Sequence, residues 1–300
     1  MVSPPFNVKR KSATVRPLQT PQRKDLDQLM AAPRPPRPHR QERERNRELK
    51  RQAEASSGDE DGPIRLFGVH AVEAALRNPN RQVLRLVVTE NGELRLRDVL
   101  AVRDIERERA TPRDLDRILG ADTVHQGMML EVEPLPEPDF DDLAEAAAGG
   151  GPLIALDQVT DPHNVGAVLR SAAVFGASGL IMTRRHSPPL NGTLAKSASG
   201  ALELVPIHLA QNLARALEAL KERGLTLLGL DGDAPGAIEA EGFTAPTVLV
   251  LGAEGKGLRQ LTRDVCHRLV KISASGPLAS LNVSNAAAVA LHLAAMRKAK

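Results

Sequence analysis

Along the second half of the chain, short apolar runs alternate with stretches whose apolar residues recur every three or four positions. Leu153–Leu156, Leu180–Met182, Leu204–His208, Leu225–Leu230, Thr247–Leu251 and Leu269–Ile272 are strand-like. Val165–Phe175, Ala210–Arg223, Leu258–Cys266 and Ser284–Arg297 carry helical spacing. Near-continuous apolar strands are those buried on both faces. The alternation therefore predicts an α/β fold, a parallel sheet covered by helices on either side. In such sheets ligands bind beyond the carboxyl ends of the strands.

A smaller alternating segment comes first. Val69–Leu76 reads as a helix with Val72, Ala75 and Leu76 on one face, and Val83–Val88 and Met128–Val132 read as strands. Thr111 is a good N-cap, Pro112 fits the first helical position and Asp114 the third, which predicts a helix to about Leu119, before Gly120. This segment, 63–133, is close to the lower size limit for a core that stands alone. Pro134-Leu135-Pro136-Glu137-Pro138 and Gly149-Gly150-Gly151-Pro152 then bracket an acidic, alanine-containing stretch. Residues 134–151 read as a linker with one short helix over Asp141–Ala148, and 152–300 as the larger domain.

Charge changes the picture only at the start of the chain. Residues 1–51 hold 14 Lys and Arg against 5 Asp and Glu, whereas the whole chain has a net charge of +3. Eight of the 22 prolines lie in 1–62, and this segment has few apolar residues to offset the entropy of ordering. We expect 1–62 to be a disordered basic tail, with a marginal helix near 40–54 from the i,i+3 pairs Glu42/Arg45, Glu44/Arg47 and Glu48/Arg51. Such a tail is either an electrostatic arm for RNA or a solvated linker. Six basic residues precede the first acid, Asp25, as in a mitochondrial transit peptide, but Pro4, Pro5, Pro17 and Pro21 spoil an amphipathic helix. The cytoplasm is the expected location, with the mitochondrion as the alternative.

Composition excludes several chemistries. With no Trp, no Tyr and five Phe, base stacking on aromatic platforms is excluded. Cys266 stands alone, so no intramolecular disulfide forms and a reducing compartment is expected. The eight His are scattered, so no metal site is expected. No apolar run approaches the roughly 20 residues of a membrane span.

Three loops carry candidate chemistry. The first runs from Asp157 through Pro162, His163, Asn164 and Gly166 to Arg170, out of a strand and into a helix. Val165, Val168, Leu169 and Ala172 form the apolar stripe, which leaves Arg170 off that face, suited to a phosphate or ribose edge or else to a surface ion pair. The second, Gly252-Ala253-Glu254-Gly255-Lys256-Gly257, has three glycines that let backbone N–H groups approach a ligand. It is neither a P-loop nor a dinucleotide fingerprint, and a turn is the simpler reading. The third runs from Ile272 through Gly276, Ser280, Leu281 and Asn282 to Ser284, a plausible N-cap for the last helix. Capping and turn chemistry would account for Ser280 and Asn282.

In this order and spacing the loops resemble motifs 1, 2 and 3 of the SpoU/TrmH-type RNA 2′-O-ribose methyltransferases of the SPOUT superfamily. The resemblance covers Gly68 to Lys300. Gly68-Val69-His70-Ala71-Val72-Glu73 and Val124-His125-Gln126-Gly127 resemble the ribosomal-protein-like RNA-binding domain of the branch that methylates a guanosine of 23S rRNA. The resemblance implies a SPOUT fold with a C-terminal trefoil knot, S-adenosylmethionine held in that knot, a homodimer, and RNA rather than DNA or membrane as partner. It implies that Gly252, Ile272 and Leu281 hold the cofactor by backbone contacts, while Asn164, Arg170, Glu254, Ser280 and Asn282 line the reacting centre. A guanidinium, with a pKa above about 12, is a poor proton acceptor. Arg170 is therefore assigned to phosphate binding and to stabilising developing oxyanion charge, with Asn164 orienting it. The same reaction on tRNA, and a noncatalytic RNA-binding assembly factor, are the alternatives.

Overall fold

A computed structural model describes residues 63–276 and 281–298; the expected tail and its marginal helix, and Ser280, lie outside them. The first sheet is built from β1 (Ile64–Phe67), β2 (Val83–Val88), β3 (Arg107–Arg109) and β4 (Met128–Val132), in the order β1-β4-β2-β3. Strand β4 is antiparallel to β1 and β2, and β3 is parallel to β2. Helices α1 (Val69–Arg77), α2 (Glu90–Leu100) and α3 (Pro112–Leu119) complete this part. Helix α3 starts as expected. The Thr111 hydroxyl accepts the Asp114 N–H while the Asp114 carboxylate accepts the Thr111 N–H, a reciprocal capping box.

The second sheet is wholly parallel, as the apolar runs predict. Its strands are β5 (Leu153–Asp157), β6 (Gly179–Thr183), β7 (Ile207–Ala210), β8 (Thr226–Leu230), β9 (Gly236–Ala237), β10 (Thr247–Gly252) and β11 (Arg268–Lys271). The order is β7-β6-β5-β10-β8-β11-β9. Alternate strand residues feed two cores. Ile154, Leu156, Leu180, Met182, Leu249 and Leu251 pack with α5 (Pro162–Val174), α6 (Gly192–Ala198) and α9 (Val283–Lys298). On the opposite face Leu153, Ala155, Ile181, Val248 and Val250 pack with α4 (Phe140–Gly149), α7 (Leu213–Glu222) and the end of α8 (Gln260–Val265). The stretch 134–151 is thus docked: Leu143, Ala144 and Ala147 are buried in that core, and Glu137 accepts the Leu209 N–H and pairs with Arg184.

Several elements differ from the sequence reading, the short strands β1, β3 and β9 among them. Helix α2 was not expected, because it buries little beyond Leu96 and Val99 among charged residues. Helix α6 was not expected either; its Gly192 lies where a Cβ would come within 2.1 Å of the Arg65 carbonyl oxygen. The strand expected at Leu204–His208 begins at Ile207, after a 3₁₀ turn over Ala201–Glu203 that leaves Leu204 72 % exposed. The following helix begins at Leu213 rather than Ala210, because the Asn212 side chain caps it by accepting the Arg215 N–H.

The two sheets share one apolar core, and a buried polar cluster locks their junction. Arg81 and Glu203 are 2 % and 3 % exposed and form a fork-to-fork pair, Nη2 to Oε1 2.6 Å and Nε to Oε2 3.1 Å. Arg81 also donates to the Glu133 carbonyl, and Asn78 donates to Glu203 at 2.9 Å. Arg103 supplies donors to the carbonyls of Leu76, Asn78 and Arg81.

Candidate active site

The three loops leave β5, β10 and β11 at their carboxyl ends. From β5 the chain runs outward to β6 and β7, and it then returns to the other side, so the β5/β10 boundary is a topological switch point. Motif residues distant in sequence meet here. Asn282 donates through Nδ2 to Asn164 Oδ1 at 3.0 Å and to Glu254 Oε2 at 3.4 Å. Its Oδ1 accepts the Ser284 N–H at 2.8 Å and the Ser284 hydroxyl at 2.6 Å. Asn282 thus performs the capping role expected of Ser284, while its amide nitrogen faces the cluster.

Local structure explains the motif glycines. Helix α5 opens with the Asp161 carboxylate accepting the His163 N–H and Pro162 in its first turn. At Gly166 a Cβ would come within 2.5 Å of Ser197 Cβ, so glycine lets α5 and α6 close together. At Gly252 a Cβ would lie 2.1 Å from the Gly257 carbonyl carbon, because the loop folds back and Gly257 N–H donates to the Ala253 carbonyl. Gly255 and Gly257 have positive φ, 78° and 65°, and open space where a side chain would stand. At these two positions the backbone is left bare, so its N–H groups can be approached closely by a ligand.

Asn164, Glu254 and Asn282 are therefore in contact. Arg170 is exposed, and among the described residues it makes no hydrogen bond or ion pair. No hydrogen bond joins Arg170 to Asn164, the partner that the resemblance implies for it; the Asn164 oxygen accepts from Asn282. Ile272 is partly buried against the core, and Leu281 is 51 % exposed. Ser280 lies outside the described residues. The sequence reading missed Asp157 as a partner. Its carboxylate is wholly buried and accepts the Arg259 backbone N–H at 3.0 Å and Nε at 2.6 Å, tying the first loop to the second. An acid closing an otherwise apolar strand was the available signal. Burial pushes the Cys266 thiol up to about 11, against a nearby Lys221, so it is no thiolate nucleophile near neutrality.

The three loops that converge at the switch point lie within the stretch that a family pattern matches: the chain belongs to the SpoU rRNA methylase family, whose pattern matches residues 151–292. An RNA 2′-O ribose methyltransferase substrate-binding pattern matches 65–138. The chain is 41% identical over 234 residues to the 23S rRNA (guanosine-2′-O-)-methyltransferase RlmB of Pseudomonas aeruginosa, spanning 76% of this chain and 94% of that one. It is 40% identical over 238 residues to the RlmB of Ralstonia nicotianae, spanning 78% and 95%. Among solved structures it is similar to the SpoU methyltransferase AviRb from Streptomyces viridochromogenes in complex with AdoMet. The TM-score is 0.69 at 25% identity, over 83% of this chain and 98% of that one.

Proposed function

We propose that this protein transfers the methyl group of S-adenosylmethionine to the ribose 2′-hydroxyl of a guanosine in 23S rRNA. The observation that carries the chemistry is the Asn164–Asn282–Glu254 cluster at the switch point, with Arg170 further along the same helix as Asn164 and without a partner among the described residues. Identity to the RlmB enzymes over three quarters of the chain supports the substrate. The division into a tail (1–62), an RNA-binding unit (63–133), a connecting segment (134–151) and a methyltransferase domain (152–300) belongs to the same reading.

The bare glycine loop, Ile272 and the half-open Leu281 fit the cofactor, with Gly252, Ile272 and Leu281 as its holders. When bound, S-adenosylmethionine supplies an electrophilic sulfonium methyl group. Arg170, having no partner of its own among the described residues, binds phosphate and stabilises charge developing on the ribose oxygen. Asn282 holds Asn164 and Glu254 in one geometry, so alignment of the ribose supplies much of the rate. Ser280, outside the described residues, is a further member that the resemblance implies.

A trefoil knot is supported by the strand order. Strand β10 enters between β5 and β8, both laid down earlier in the chain, and α9 then returns to pack on α5 and β10. A homodimer is supported by Val174 on α5 and Met296 on α9, large apolar side chains left exposed on two helices that pack together. The bacterial origin of the relatives supports the cytoplasm over the mitochondrion.

The test is to map ribose 2′-O-methylation in RNA from cells with and without the gene. Loss of one guanosine mark in 23S rRNA is the expected result. Loss in tRNA instead would keep the chemistry and overturn the substrate, and no lost mark would favour an assembly factor.

A further inference from the structure

The carboxyl edge of the parallel sheet has two halves, and the reacting cluster with its glycine loop uses the half at β5, β10 and β11. The other half, at the ends of β5, β6 and β7, holds a separate pocket of about 380 Å³. Gln158, Arg185, His186, Gln211, Arg259 and Thr262 line it, and none of its lining residues is Asp or Glu.

One of the two pocket arginines has no partner among the described residues, and the other is only partly engaged. Arg184 is held by Glu137, but its neighbour Arg185 makes no ion pair or hydrogen bond among the described residues. Arg259 is 45 % exposed, and the buried Asp157 carboxylate fixes its Nε and backbone N–H. Its two terminal amino groups have no partner among the described residues, so the guanidinium is oriented but unsatisfied. Thr262 is wholly buried, and its Oγ1 is the one buried side-chain polar atom among the described residues without a partner. The amides of Gln158 and Gln211 add donors and acceptors that none of the described residues takes up.

We infer that this pocket takes one unstacked nucleotide of the RNA strand that carries the target ribose. Arg185, Arg259 and His186 face its phosphate, and the two glutamine amides face the base and sugar edges. The volume falls within the usual range of ligand pockets, ~300–1,000 Å³, and is far too small for a duplex. A guanidinium plane or the His186 ring offers a surface on which a base can stack. The shared residue Asp157 connects the two halves. It closes β5, opens the loop that bears Asn164, and aims Arg259 into the pocket, so a strand seated here is in register with the reacting centre. The inference rests on the methyltransferase reading above.

The experiment compares wild type with the double variant Arg185→Ala, His186→Ala on a 23S rRNA fragment. S-adenosylmethionine affinity and melting temperature serve as folding controls. KM for RNA should rise about ten-fold, the usual scale for a charged hydrogen bond, with kcat and cofactor affinity unchanged. Independently of any variant, 4-thiouridine placed in the rRNA fragment should crosslink wild-type protein at 183–186 or 211–213. An unchanged KM, or crosslinks confined to other segments, overturns the pocket. Wild-type protein that methylates no rRNA at all fails the underlying reading, and the pocket falls with it.

Discussion

The junction cluster around Arg81 and Glu203 and the reacting cluster around Asn164 and Asn282 are both built from polar side chains distant in sequence, yet they are finished differently. At the junction, both charges are wholly buried and the Glu203 carboxylate is engaged by Arg81 and Asn78. At the reacting cluster the members are half-buried or exposed, Glu254 has one long contact, and Arg170 has none among the described residues. A saturated buried network fixes geometry, whereas open donors and charges are available to a substrate. Polar residues alone do not mark a site; unspent bonding capacity does.

The comparison breaks most visibly at Glu203. Removing one partner of a fully buried pair strands the other charge, so Glu203→Ala should cost about 3–5 kcal/mol of unfolding free energy, read by urea titration. Replacing both partners by apolar residues of similar size, Arg81→Met with Glu203→Leu, should recover most of that loss, because the pair's attraction largely offsets its own desolvation. If the double variant is as unstable as the single one, the hydrogen bonds to Asn78 and the Glu133 carbonyl hold the junction rather than the pair itself.

Arg170 is the opposite case. It is exposed and unpartnered among the described residues, so Arg170→Ala should leave the melting temperature and S-adenosylmethionine affinity where they are. Turnover should fall about 100-fold, the scale of one lost oxyanion donor. Unchanged turnover removes Arg170 from the chemistry, and a lowered melting temperature would show that it is structural after all.

How far these clusters could be read in sequence follows from the kind of signal each leaves. The parallel sheet was legible because Leu153–Asp157, Thr247–Gly252 and their neighbours are apolar on both faces. The start of α3 was legible because its cap is local. Helix α6 was not, since its reason lies elsewhere: Gly192 and Gly166 are glycines because Arg65 and Ser197 approach them. The junction was invisible too, since nothing local marks Arg81 out from the many other arginines. Asn164, Glu254 and Asn282 stood out in their motifs. Their mutual contact depends on β10 entering between β5 and β8, and sequence spacing alone does not carry that order.

Asn282 belongs to both classes, and it separates them at one residue. Its oxygen accepts the Ser284 N–H and closes the start of α9, as a structural cap does. Its nitrogen donates to Asn164 and Glu254, as a member of the reacting cluster. Asn282→Ala removes both roles and should lower stability by about 1 kcal/mol, the ordinary cost of a lost cap, together with a drop in turnover. Asn282→Asp keeps the accepting oxygen but loses the donor and sets a second carboxylate beside Glu254. It should melt within a degree or two of wild type, since Asp caps as well as Asn, while turnover falls at least as far as in the alanine variant. Calorimetry and steady-state methyl transfer on the same two proteins check this. If the aspartate variant keeps full turnover, the amide donor is dispensable and Asn282 is only a cap; if it unfolds early, the Glu254 contact serves the fold rather than the reaction.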